Sequence, residues 1–214
     1  MSSQVRGGTR WKRFALVMVP SVVATAAVGV GLAQGALAAS FSVSGQSFKV
    51  STDKLVGEDF VQYGSVAVGT DIEGEKQQAH PVAVSGFSKA TITNMCQSVV
   101  TPDLPFGLGS VSLQLKAGTD PKKPVEATNL YLDVAQLDAD AYFENIDIGV
   151  AAGSVGKPGI QAGTEKAVKA GGFSQRAKTA TLSNVEQTAW ATTAGTFKLS
   201  NLSLRLHKGV KECF

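Results

Sequence analysis

The apolar and polar positions of this chain alternate in short runs and do not recur at helical spacing. Phe41 and Val43, then Phe48 and Val50, alternate on either side of Ser44-Gly45-Gln46, and Val111-Ser112-Leu113-Gln114-Leu115 alternates cleanly. Period-two alternation marks half-buried strands, and Gly45 predicts a hairpin turn between the first two runs. One motif recurs on this background: apolar, polar, Asn, apolar, polar. It is clearest at Ile92-Thr93-Asn94-Met95-Cys96 and Leu182-Ser183-Asn184-Val185-Glu186. Looser copies surround Asn145 and Asn201, and a weaker one surrounds Asn129. The apolar positions before and after Asn are three apart, so they face one core only if the alternation breaks at Asn. Asn tolerates the left-handed conformation, which suits a bend or bulge. Each copy therefore reads as strand, corner, strand. The fold expected is all-β, a repeat-containing β-solenoid-like domain with ladders of Asn amides. An antiparallel β-sandwich or barrel is the alternative.

The first residues are of another kind. Arg6, Arg10, Lys12 and Arg13 precede an uncharged run from Phe14 to Ala39, which ends in Ala36-Leu37-Ala38. A basic start, an apolar middle and an Ala-x-Ala site are the parts of a secretory signal peptide. Residues 1–38 thus read as a hydrophobic leader helix, cleaved before Ala39 or retained as a membrane anchor. Either way residues 39–214 form a single extracytoplasmic domain, secreted or anchored. The leader also changes the charge. The whole chain has 20 Lys+Arg against 17 Asp+Glu. Four of the bases and none of the acids lie before residue 39, leaving 16 against 17, a net of −1. That gives no electrostatic case for nucleic acid as a partner.

Export bears on the two cysteines, Cys96 and Cys213. An oxidising compartment favours a disulfide between them. Cys96 takes the second position after Asn94, which should face outward, within reach of a tail crossing the outside of the sheet.

Several stretches carry candidate chemistry. Thr101 to Gly109 holds two prolines and two glycines, which exclude a regular strand. Leu104, Phe106 and Leu108 in it fold back on the core or offer apolar groups to a binding partner. Asp138 and Asp140 share a face if extended and could be taken for calcium ligands, but no calcium-loop motif is present and no metal site is expected. Gly149 to Gly172 reads as a long surface loop, with a short helix over Thr164–Ala170 capped by Gly171. Gly156-Lys157 is followed by Pro158, which rules out a phosphate-binding loop, and no cofactor motif occurs. No Gly-x-Ser-x-Gly is present. The nearest serines to that pattern are Ser88 and Ser174, and only His80 and His207 are available as a base.

The stretches Arg10-Trp11-Lys12-Arg13-Phe14, Ser40 to Gly45, Ala90 to Val100, Asn129-Leu130-Tyr131, Phe143 to Gly149, Thr188 to Phe197 and Glu212-Cys213-Phe214 resemble a family of small exported actinobacterial proteins. Some members carry the label cholesterol esterase. The resemblance covers nearly the whole chain and brings no recognised catalytic residues with it. It implies an envelope or extracellular protein, and the label implies hydrolysis of sterol or other lipid esters. The residues themselves favour a binding or structural role toward a lipid, another apolar partner or an envelope component. A lipid-ester hydrolase using Ser88 or Ser174 with His80 or His207 is the alternative.

Overall fold

The structure, a computed structural model, describes residues 43–214 apart from Leu108. The leader and its cleavage site lie outside the described residues. The chain runs β1 (Phe48–Thr70), β2 (Gln77–Thr93), β3 (Met95–Leu104), β4 (Gly109–Ala117), β5 (Val125–Glu144), β6 (Asp147–Ala151), β7 (Phe173–Thr193), β8 (Thr196–Lys198) and β9 (Ser203–Lys208). The all-β expectation holds, and every pairing between these strands is antiparallel.

The solenoid does not form. β1, β2, β5 and β7 close on themselves, because β1 pairs with both β2 and β7, and β5 also pairs with both. The result is a four-stranded barrel of long strands, the barrel of the alternative reading. Four strands enclose too little width for a lumen, so side chains fill the inside. Phe60, Phe87, Leu130 and Leu182, one from each wall, belong to this core. Crowding there is severe enough that Gly57 has no room for a side chain: a Cβ would collide with the Phe87 ring.

The Asn motif is a set of corners nonetheless. Asn94, Asn129, Asn145, Asn184 and Asn201 all have φ between 46° and 54°. At three of them the flanking pair faces the barrel core as the parity requires: Ile92 and Met95, Ala127 and Leu130, Leu182 and Val185. At Asn145 and Asn201 only the preceding residue packs on the core, while Ile146 and Leu202 are exposed. The amides do not stack. Asn94 Nδ2 donates to both carboxylate oxygens of Asp53 at 3.1 Å, and Asn184 Nδ2 donates to Asp140 at 2.8 Å. The corners thus bend antiparallel neighbours together. The β1–β7 ladder steps from Thr52↔Val185 to Lys54↔Ser183, leaving Asp53 and Asn184 at one shared bend.

Two further expectations are corrected. Val43 does not form a hairpin with the start of β1. It bridges Gly69 in parallel and donates its N–H to Val68, because Gly45 folds against the backbone of Asp71 and Ile72. The helix at Thr164–Ala170 shrinks to one 3₁₀ turn, Glu165–Ala167. The surface loop that contains it is a strap. Ala152, Val155 and Val168 pack on Val61, Tyr63, Val84 and Tyr131, on the opposite face of the barrel strands from the main core.

β2 passes through Asn94 into β3, and both pair with β1. Their other neighbours differ: β5 lies beside β2, and β4 beside β3. The wall therefore turns outward at Asn94 into an open wing of β3, β4 and β9. The turn is tied by Asn94 N–H to Gly118 O at 2.7 Å and Gly118 N–H to Ser200 O at 2.7 Å.

Candidate functional site

Strand alternation assigns the wing's two faces. On one face Gln97, Val99 and Thr101 of β3 stand beside Leu115, Leu113 and Val111 of β4. Leu115 and Leu113 in turn stand beside Leu204 and Leu206 of β9. This face continues the inside of the barrel. Met95, two residues before Gln97, lies in the core, and Phe48 and Leu115 pack against it. Inside the barrel, and reaching the junction at Met95 and Gln97, lies a cavity of about 30 Å³ walled also by Val50, Phe87, Leu130 and Leu182. Beyond the junction the trough is open. Leu204 is 56% and Leu206 70% exposed.

The other face is polar, and it is the covered one. The C-terminal tail crosses it. Ser112 Oγ donates to Gly209 O at 2.7 Å and accepts from Lys211 N–H at 2.8 Å, and Cys213 N–H donates to Ser98 Oγ at 3.0 Å. Cys96 and Cys213 are disulfide-bonded. Lys49 adds an ion pair to Glu212 at 3.0 Å and lies over the Phe214 ring, 5.0 Å from its centre. Ordinary folding would cover the leucines and leave the serines in water. Here the arrangement is inverted, and an apolar trough open along one side is what remains.

The residues singled out from the sequence are dispersed. Ser174 is fully buried, and its hydroxyl donates to Val150 O at 2.8 Å. Ser88 and His80 lie on one strand eight residues apart, roughly 26 Å at strand rise. His80 stacks on Trp190 with ring centres 3.5 Å apart. His207 sits on β9, at the far side of the wing. Among the described residues no serine hydroxyl hydrogen-bonds a histidine. Asp138 accepts from Gln136 and Asp140 from Asn184, and the described residues contain no cluster able to hold a metal ion. Leu104 is half-buried at the end of β3. Phe106 stands 97% exposed at the tip of the β3–β4 hairpin, and Leu108 is outside the described residues. The tip is thus an apolar projection at the end of the trough-bearing wing.

A family comparison settles what kind of chain this is. The model of a family of unknown function (DUF6230) matches residues 44–214. The chain belongs to that family. The match spans barrel, strap, wing and tail. No curated protein and no solved structure matches the chain.

Sequence reasoning missed two groups. The trough leucines were visible as alternation, but alternation does not say which face a tail will cover. The second group lies under the strap. Asp133 is buried, and that burial pushes its carboxyl up to about 6. Tyr63 is pushed up to about 12, again mainly by burial, partly offset by the hydrogen bond it accepts from Gln161 N–H at 2.8 Å. Burial raises Tyr131 as well, and its hydroxyl donates to Pro158 O at 3.2 Å. The two tyrosines hold the strap down. Nothing in the local sequence marks Asp133 as different from the exposed aspartates that follow it.

Proposed function

We propose that this domain is an exported envelope or extracellular protein that binds the aliphatic chain of a lipid along the wing, with the chain end in the cavity that reaches the junction. The observation that carries the reading is the inversion of the wing: its serines Ser98 and Ser112 are buried under the tail, while its leucine face continues the barrel core into the open. Covering Leu204 and Leu206 alone would return up to about 3–6 kcal/mol of apolar transfer energy before ordering costs. The cavity, at about 30 Å³, has room for roughly two waters. It suits the end of an acyl chain and is too small for a fused ring. The exposed Phe106 at the wing tip offers a contact to a lipid surface. The basic, apolar leader supports export, and so does the disulfide. The resemblance to exported actinobacterial proteins, some labelled cholesterol esterase, agrees with a lipid ligand. It adds no group able to cleave an ester.

The test is a titration of protein beginning at Ala39 with a fluorescent long-chain fatty acid. Saturable binding, lost in Leu204→Asp and Leu206→Asp, is expected. Hydrolysis of a short-chain or cholesteryl ester that disappears in Ser88→Ala or Ser174→Ala would replace this reading with the hydrolase. Absence of both binding and hydrolysis would reject both.

A further inference from the structure

On the polar face the tail covers Ser98 and Ser112 and leaves the β9 side open. Between β4, β9 and the tail is a pocket of about 300 Å³ lined by Gln114, Lys116, Ser203, Arg205, His207 and Lys211. Register places these side chains together: Arg205 is opposite Gln114, Ser203 opposite Lys116, and His207 opposite Ser112. The tail brings Lys211 in from the third side, through its N–H bond to Ser112 Oγ at 2.8 Å. No acid lines the pocket. The nearest acidic tail residue, Glu212, lines the neighbouring pocket and is paired with Lys49. Among the described residues Lys116, Arg205 and Lys211 form no ion pair. His207 Nε2 is shielded from water and has no hydrogen-bond partner. Arg205 and Lys211 converge here with Lys116, which stands at the border with the neighbouring pocket of Asp53, Glu186 and Glu212; cations gathered in one concavity raise the local potential, and a buried polar atom without a partner is uncommon.

We propose that this pocket binds a phosphate group. A guanidinium offers a planar fork to two oxygens, ammonium groups act as mobile point charges, and Ser203 and Gln114 supply neutral donors. Together these suit a tetrahedral, multiply charged oxyanion better than a single carboxylate. The site is independent of the apolar trough, which lies on the opposite face of the same strands. Its third wall is held by the Ser112 hydrogen bonds and, two residues beyond Lys211, by the Cys96–Cys213 link, so reduction removes one of the restraints on Lys211.

The natively purified protein, disulfide intact, is titrated calorimetrically with inorganic phosphate and with pyrophosphate at low salt. One saturable site is expected. Arg205→Gln and Lys211→Gln should each weaken it about tenfold, the loss of one charge-assisted contact. Lys178→Gln, an exposed lysine on the barrel, should leave it unchanged. Reduction with a thiol should weaken it less than Lys211→Gln does. Sedimentation with phosphatidylglycerol vesicles, against phosphatidylcholine alone, separates the sources. Vesicle binding lost in Arg205→Gln assigns a lipid headgroup, and binding of soluble phosphate without vesicle binding assigns a free phosphate compound. No binding in any arm, or equal weakening by Lys178→Gln, overturns the proposal.

Discussion

In the barrel, Phe60, Phe87, Leu130 and Leu182 face one another across a closed wall. In the wing, Leu113, Leu115, Leu204 and Leu206 stand on the continuation of that face; Leu113 and Leu115 are half-buried, and the two leucines of β9 are left open. The two regions are built from continuous strands of similar composition. What separates them is closure. Four strands that find each other exclude water from one side and need no further cover. The three strands of the wing, which opens at Asn94, must have each face covered by something else. The chain provides a tail for the polar face only. Apolar surface left open while serines are buried belongs to a binding face more naturally than to a stability device.

The comparison predicts that small changes in the barrel cost stability and that larger ones in the wing do not. The largest effect is expected at Gly57. A Cβ there meets the fully buried Phe87 ring, and overpacking in a filled barrel should cost about 3 kcal/mol. Gly64, in the same strand, has open space for a Cβ, so Gly64→Ala is its control, and chemical denaturation would measure both. Next come the corners. Asn184→Val places a β-branched residue at φ 51° between two core residues, and about 1–3 kcal/mol should be lost. Asn201→Val should lose less, under about 1 kcal/mol, because Leu202 beside it is exposed and the backbone can shift. The exposed change Glu186→Gln should lose least. Melting curves would rank the three.

Asp133 gives a pH test of the strap side of the barrel. Its carboxyl keeps a proton to about pH 6 when folded, against an ordinary value of 3.8. The folded state therefore binds more protons in that window, and stability should fall as pH rises through it. Asp133→Asn removes the dependence. At pH 7 it should melt higher by about 2–6 °C, corresponding to about 1–2 kcal/mol, and the two proteins should converge near pH 4. A variant that melts lower at pH 7 would mean the ionised carboxylate is stabilising. The smallest stability effect belongs to the trough. Leu204→Ser and Leu206→Ser should each change stability by less than about 0.5 kcal/mol and still reduce binding of an acyl probe severalfold.

Much of this was legible in the residues, and the limits have physical causes. The three-residue spacing around Asn required a broken alternation, and all five asparagines do take the left-handed conformation. Three other non-glycine residues, Asp59, Asp103 and Phe106, also have positive φ; Asp59 is not visible as a corner, because Gly57-Glu58-Asp59-Phe60 has a glycine where the motif has an apolar residue. The step from corners to a solenoid failed because a corner says that a strand bends, not which strand lies beside it. Asn94 and Asn184 bond to aspartates and not to each other. The pairing of Cys96 with Cys213 followed from parity and export, and the structure contains it. Ser88 and His80 lie eight residues apart on one long strand, and Ser174 donates its hydroxyl to Val150 O, which no local pattern shows. The basic pocket depends on where the tail lies, which no local pattern carries.

Photo-crosslinking shows directly where an apolar chain sits on the protein. A fatty acid bearing a diazirine near its methyl end, irradiated with the purified protein and followed by peptide mass spectrometry, should label the junction and the wing's leucine face: Val50, Met95, Leu115, Leu204 or Leu206. Labelling confined to the strap residues 152–172 or the outer barrel wall, with the leucine face unlabelled at saturation, would contradict it.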